Sequence, residues 1–403
     1  MKLSHLLLAA ASAAALLAPA RAATFGDDVA FLRQHQKVLE LTDASGRARV
    51  AVVPAWQGRI MTSTAGGAGG DSYGWVNREL IASGQVAAHI NVFGGEDRFW
   101  LGPEGGQYSI FFAPGVKFDF DHWFTPAAID TEPFEVVSAT TDQVVCRREI
   151  HLTNYSGTKF ELEVTRSLRL LAADAALKDL GLKLPAGVGA VAFESANTVR
   201  NTGKAAWEKP SGLLSIWILG MFNASPTATI VVPYETGSEA ERGPVVNDTY
   251  FGKVPAERLV VKDGRVFFRG DANHRSKIGF PPRRAKSLLG SYDAASHTLT
   301  LVHYTLPKGA TDYVNSMWEH QEHPFSGDVV NSYNDGPLAT GAKGLGHFYE
   351  LETSSPALSL APGGSASHVH QTIHLQGDEA ALDQIAHAAL GVGLKEITQV
   401  FAR

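Results

Sequence analysis

The 403-residue sequence has one cysteine, Cys146, which excludes an intramolecular disulfide framework and any zinc site built on cysteines. Charge is sparse: Asp, Glu, Lys and Arg make up 19% against 44% hydrophobic residues, the opposite of a disordered polymer. There is no basic excess, since 35 Lys and Arg face 41 Asp and Glu for a formal charge of −6. That balance argues against nucleic acid as a partner, because phosphates must be neutralised. Beyond the N-terminal segment no apolar run is long enough for a transmembrane helix. Linkers, low-complexity blocks and internal repeats are also missing between residues 37 and 376, and the Gly-rich stretch 65–70 lacks a phosphate-loop Lys-Ser/Thr. The fold must hold by apolar burial alone, which a chain of this length can supply.

The N-terminus carries a targeting pattern. Met1-Lys2 is a short basic region, Leu6 to Leu17 is an unbroken run of Leu, Ala and one Ser, and Ala20-Arg21-Ala22 offers a small-x-small cleavage site. The run is shorter than the about 20 residues that span a bilayer. Residues 1–22 are therefore expected to be a signal peptide, and residues 23–403 one mature domain in the periplasm or outside the cell. Removing Lys2 and Arg21 brings the formal charge from −6 to −8.

The rest alternates with period two. Phe160, Leu162, Val164, Leu168 and Leu170 alternate with Glu161, Glu163, Thr165 and Arg169, and Arg166 is the one break on the apolar side. Hairpins are expected around Asp43–Gly46, Asn154–Gly157 and Asp263-Gly264, and a further pair joins residues 287–292 to 298–304. The pattern predicts a mostly antiparallel, all-β protein. The clear helix opens at Asp378, an N-cap, and closes at Gly391, a C-cap, with Leu382, Ile385, Ala386, Ala389 and Leu390 on one face.

Two segments concentrate chemistry. In His89–Gly106, two Gly-Gly pairs permit close backbone approach beside Glu96, Asp97, Arg98, Trp100 and Glu104. Aromatic rings stack on the apolar face of a sugar, and Arg and carboxylates bond its hydroxyls; a surface turn with local ion pairs is the alternative. The second segment runs from Trp318 through His320, His323 and Asp328 to Asn331, Asn334 and Asp335. Its His-x-x-His spacing, followed by Pro324, is not the zinc helix pattern. Oxygens of Asp328, Asn331, Asn334 or Asp335 leave a divalent cation open, without the spacing of a calcium loop; otherwise no cofactor is expected. His368, His370 and His374 share one strand face, as metal ligands, as a wet face or as bonded partners beneath a site. There is no Gly-x-Ser-x-Gly, and Cys146 reads as a packing residue.

The segment Phe348-Tyr349-Glu350-Leu351-Glu352-Thr353, with Pro356 and Leu360-Ala361-Pro362-Gly363, resembles the end of the galactose mutarotase-like (aldose 1-epimerase) domain. Val50–Pro54 with Gln57-Gly58-Arg59-Ile60 resembles its opening. Closer still is the resemblance to an uncharacterised family of exported bacterial proteins within that superfamily, carried by residues 94–98, 103–106, 217–222 and 333–337. The resemblance implies an antiparallel β-supersandwich that binds a carbohydrate in a cleft on one sheet face, with Glu352 in the place of the general base. It also shows departures. Thr198-Val199-Arg200-Asn201-Thr202-Gly203 lacks the superfamily's acid His, and Val92-Phe93 stands where its other His precedes Gly-Gly, with His89 nearby. Glu104 is then the expected partner of Glu352 in catalysis. His89, Asp97, Arg98, Trp100, Trp318, Asp328, Asn334 and Asp335 are the expected sugar-binding residues. The implied activity is epimerase-like, or glycoside hydrolysis or elimination on the same scaffold, with a non-catalytic sugar-binding protein as the alternative.

Overall fold

Lys159–Leu171 buries Phe160, Leu162, Val164, Arg166, Leu168 and Leu170 and leaves the alternate residues exposed or half-buried, as its alternation demands. It pairs antiparallel with Gln143–Thr153, Val144 opposite Leu168. This is seen in a computed structural model that describes residues 23–338, 341 and 343–402. The expected signal peptide lies outside the described residues. The other hairpins also form: Leu39–Thr42 with Arg49–Val53, Leu259–Lys262 with Arg265–Arg269, and Leu288–Asp293 with Thr298–Tyr304.

Two antiparallel sheets dominate. The larger has ten strands in the order Leu259–Lys262, Arg265–Arg269, Ala228–Pro233, Leu288–Asp293, Thr298–Tyr304, Ser365–Gln376, Gly189–Asn201, Lys159–Leu171, Gln143–Thr153 and Glu135–Ala139. The smaller has five: Ser276–Phe280, Val330–Asn334, Phe348–Ser354, Ser215–Asn223 and Arg98–Gly102. Their facing sides make the core. At one end Phe99, Leu101, Ile216 and Ile218 meet Val144, Val164, Leu168 and Phe193. At the other, Ile278, Phe280 and Leu351 meet Ile230, Phe268 and Val302.

The outer face of the large sheet is covered by Glu379–Leu390 and Leu394–Gln399, through Leu382, Ile385, Leu394 and Ile397 against Leu299, Leu301, Ile373 and Leu375. Asp378 caps the first of these helices by accepting from the Ala381 N–H, and Gly391 closes it at φ 71°. The sequence pattern anticipates one C-terminal helix, and the second follows after three residues. An N-terminal helix, Phe25–His35, is a further addition. Thr24 caps it, and Phe25, Val29 and Leu32 pack on Val53 and Met61 of a separate three-stranded sheet. Among the described residues no helix is long and apolar enough to cross a membrane.

Candidate functional site

The outer face of the five-stranded sheet is where the two carboxylates of the Phe348–Ser354 strand emerge. Successive side chains on a strand point to opposite faces. Leu351 joins the inter-sheet core, and the Thr353 hydroxyl meets His368 Nε2 at 2.8 Å and His370 Nδ1 at 2.9 Å. Glu350 and Glu352 therefore face away from the core. Glu352 Oε2 accepts from Trp217 Nε1 at 2.9 Å and from Lys277 Nζ at 3.0 Å. The Lys277 ammonium also lies 4.7 Å from the Trp217 ring centroid, a cation–π contact. Burial by itself would lower the Lys277 pKa, but the charges of Glu352, Glu104 and Glu350 raise it above its ordinary value.

Three carboxylates thus surround one buried ammonium. Burial, then the Glu352 charge, pushes the Glu350 carboxyl well above the ordinary carboxylate range, and Glu350 hydrogen-bonds to Glu352. Two acids so close cannot both ionise cheaply, so a charge on one opposes a charge on the other. Glu104 is also pushed up by burial, against the opposing pull of Lys277 and a hydrogen bond from Trp318 Nε1 at 3.2 Å.

Glu104 reaches this place because the two chemically dense segments are stitched together. A Cβ on Gly105 would lie 2.3 Å from the Met317 carbonyl oxygen, so only glycine allows the backbones to meet. Ser316 Oγ accepts the Glu104 N–H at 3.2 Å, and the Gln107 side chain donates to the Gln321 carbonyl at 2.8 Å and accepts the Gln321 N–H at 3.0 Å. Asp328 completes the wall. Its Oδ2 accepts from the Tyr250 hydroxyl at 2.6 Å, and burial pushes the carboxyl up to about 6.

Glu104, Lys277 and Asp328 line a cleft of about 570 Å³, whose walls include Trp217, Trp318, Tyr250, Phe251 and Arg275; Glu352 lies enclosed behind that wall, bonded to Trp217 and Lys277. A smaller cavity of about 110 Å³ adjoins it and shares Glu104, Trp217, Lys277 and Trp318. Arg98, Trp100 and Glu350 line that smaller cavity. Arg98 is bonded to Asp130 at 2.8 Å and lies 4.4 Å from the Trp100 ring centroid, so its charge is already matched.

The structure brings Glu104, Glu352, Arg98, Trp100, Trp318 and Asp328 to this one region, and places four of the expected residues elsewhere. Asp97 points into the core, where it bonds Arg166 and accepts from Ser195 Oγ at 2.5 Å, because it alternates with Arg98 across the sheet. Asn334 fixes the preceding loop through the Ala272 N–H at 2.9 Å and the His274 carbonyl at 2.9 Å. Asp335 accepts from Tyr333 at 2.6 Å and from the Gly346 N–H at 2.8 Å, which holds the segment bearing Leu345 against the cleft. Of the oxygens considered for a cation, Asp328 Oδ2, Asn334 Oδ1 and both Asp335 oxygens accept bonds from the protein. His89 bonds the Trp123 carbonyl at 2.6 Å and stacks on Phe124 outside the cleft wall. Of the other histidines, His374 meets Glu96 at 2.6 Å in the core, beneath the sheet that carries the site.

Lys277, Trp217, Tyr250 and Arg275 are absent from the residues expected from sequence. A signal for Lys277 exists: it is the single charge in the otherwise uncharged strand Ser276–Phe280. Trp217 belongs to one of the segments that carry the resemblance, without a role attached.

Among solved structures, the chain is similar to the Slr1438 protein of Synechocystis sp. PCC 6803, 12% identical with a TM-score of 0.50, over 85% of this chain and 96% of that one. It is similar to a protein provisionally named an aldose 1-epimerase from Escherichia coli K12, 14% identical with a TM-score of 0.50, over 85% and 99%. A galactose mutarotase-like protein of Lactobacillus casei ATCC 334 aligns at 11% identity and a TM-score of 0.47, over 84% and 100%. No curated protein matches by sequence. The fold is galactose mutarotase-like and mostly antiparallel β. Residues 23–401 match a single family across nearly the whole chain, and the protein belongs to it: a family of unknown function (DUF6786).

Proposed function

We propose that this is an exported carbohydrate-active enzyme that takes a sugar in the cleft on the outer face of the five-stranded sheet, with Glu352 as general base and Glu104 as general acid. One observation carries the proposal. Glu104 and Glu352, separated by most of the chain, act on the same Lys277; Glu104 and Lys277 line a cleft walled by Trp217 and Trp318, and Glu352 bonds Lys277 and Trp217 from behind that wall. Epimerase-like chemistry at an anomeric carbon needs a proton taken from one oxygen and another delivered to its neighbour. A base bonded by two donors and an acid whose carboxyl burial pushes up suit that requirement. The same acid and carboxylate suit hydrolysis or elimination on this scaffold. Export rests on the pattern in residues 1–22 and puts the sugar in the periplasm or outside the cell.

A non-catalytic sugar-binding role has its own support, because Glu352 is wholly enclosed and its Oε2 is committed to Trp217 and Lys277. Purified protein should be assayed with reducing sugars by optical rotation and with polysaccharides by product release, wild type beside Glu352→Gln. Turnover that Glu352→Gln abolishes supports the enzyme. Binding without turnover in both proteins supports the alternative, and neither binding nor turnover overturns both. Mass measurement of the chain recovered from a periplasmic extract tests export, with loss of residues 1–22 expected.

A further inference from the structure

The cleft has an apolar mouth that neither Glu352 nor Glu104 requires. Phe120 is 53% and Phe251 46% exposed although both line the cleft, and Leu345 beside them is 42% exposed. Phe124, 45% exposed, is tied to Phe120 through His89: the His89 ring is centred 4.5 Å from Phe124 and 4.6 Å from Phe120. The row continues inward, from Phe120 to Trp123 at 6.0 Å and from Trp123 to Trp318, which bonds Glu104, at 5.6 Å. Of the markedly exposed phenylalanines among the described residues, Phe120 and Phe251 line the cleft and Phe124 extends the apolar surface from Phe120 across His89 to the outside of its wall. Apolar surface left in water costs about 25 cal/mol per Å², so a concentration of it next to a polar site marks a contact surface rather than chance.

The two volumes point the same way. A single pyranose is small beside a cleft of about 570 Å³ with a second cavity of about 110 Å³ opening beside it. Clefts of that size normally hold drug-sized ligands, the bulk of several sugar rings. Aromatic side chains spaced a few ångströms apart along an open path suit successive sugar rings. Each ring presents an apolar face and keeps its hydroxyls in water. A folded protein partner would gain little from a path that runs down into buried carboxylates.

Building on the proposed sugar site, we infer that its ligand is a glycan chain of two or more units and not a free monosaccharide. One unit sits by Glu104 and Glu352, and the next units lie along Phe120, Phe251 and Phe124.

The test is a chain-length series. Cello-, malto-, laminari-, xylo- and chito-oligosaccharides, each from monomer to hexamer, are titrated calorimetrically into the full chain. In at least one series affinity should rise at least about tenfold from monomer to tetramer. Phe124→Ala should weaken tetramer binding about five- to tenfold while changing monomer binding far less, as loss of one stacking contact implies. Phe120→Ala and Phe251→Ala should act in the same direction, and circular dichroism verifies folding of each variant. Monomers that bind as well as tetramers, or phenylalanine variants that weaken all lengths equally, overturn the chain inference and leave the sugar site standing. Failure of every sugar in the panel to bind overturns both.

Discussion

The protein buries acids in two places, and it treats them differently. In the core between the sheets, Asp97 faces one guanidinium, Arg166, and both are fully enclosed. Ser195 Oγ and the Asn197 amide bond the remaining sites at 2.5 and 2.8 Å. Even so, burial pushes Asp97 up and Arg166 down, because desolvation outweighs their attraction. Beside the cleft, Glu352, Glu350 and Glu104 surround the single ammonium of Lys277. The core pair is balanced one to one and closed to any ligand. Around Lys277 the acids outnumber the base, burial pushes the Glu350 and Glu104 carboxyls up, and the group borders a cleft. Balanced burial specifies structure, whereas unbalanced burial beside a cavity is the arrangement expected of a reactive site.

The comparison breaks most sharply at Glu352. Glu352→Gln keeps the shape and still accepts from Trp217 and Lys277, but removes the proton acceptor. Turnover should fall by about 10²–10⁴, the usual contribution of a positioned base, with an unfolding midpoint close to wild type. Turnover equal to wild type, measured per folded molecule, would show that the base lies elsewhere. Arg166→Met is the mirror experiment in the core. It leaves Asp97 enclosed without its cation, and urea unfolding should show a loss of about 3–5 kcal/mol. Activity per folded molecule should hold. A loss of activity without a loss of stability would mean that the core pair serves the site.

Asp328 sharpens the comparison through pH. Its carboxyl is pushed up to about 6 when folded, against an ordinary value near 3.8. The folded state therefore binds the proton more tightly than the unfolded chain does. The stability that this contributes is complete below about pH 4 and is lost as pH rises through about 6. The loss amounts to about 3 kcal/mol at most, at 1.36 kcal/mol per pH unit of difference. Asp328→Asn removes the titration and can still accept from Tyr250. Urea midpoints should thus favour Asp328→Asn at pH 7–8 and converge with wild type near pH 4. Parallel curves would place the Asp328 carboxylate in a polar setting instead.

Sequence pattern conveys the large sheet well and the site only in part, for one reason. Gln143–Thr153 and Lys159–Leu171 of the large sheet alternate, so their faces can be assigned; Lys159–Leu171 even announces Arg166 as an exception on its apolar side, and Arg166 is the residue that pairs with Asp97. The five-stranded sheet is covered on both faces. Arg98–Gly102, Val330–Asn334 and Phe348–Ser354 are buried at every position, and continuous burial erases the period that would show which way a side chain points. Asp97 and Arg98 both looked like cleft residues in sequence, although neighbours on a strand must part. Lys277 and Tyr250 escaped because their importance comes from what approaches them. Glu352 and Asp328 lie 75 and 78 residues along the chain from Lys277 and Tyr250, respectively. Glu104 and Trp318 were visible as dense polar–aromatic segments, but the Gly105–Met317 contact that joins them has no local signature.

The smallest expected effect tests whether Glu104 behaves as an acid. Trp318 Nε1 donates to Glu104 Oε1 at 3.2 Å, and the indole stacks on Trp123 with centroids 5.6 Å apart. Trp318→Phe keeps a ring for that stacking and deletes the donor. A donor to a carboxylate favours its charged form, so its loss should push the Glu104 carboxyl further up, in the direction burial already drives it. If Glu104 delivers a proton, activity is lost on the alkaline side as Glu104 ionises, and Trp318→Phe should move that alkaline limb to higher pH. A bond to a charged group is worth about 1.5–3 kcal/mol. The long, partly screened geometry argues for the lower end, or about one pH unit. The acid limb, governed by the base, should stay in place. A shift of the acid limb with the alkaline limb fixed would exchange the roles of Glu104 and Glu352. No shift at all, with Glu352→Gln inactive, would remove Glu104 from the proton transfer and leave Glu350, whose carboxyl burial beside Glu352 pushes up, as the next to substitute.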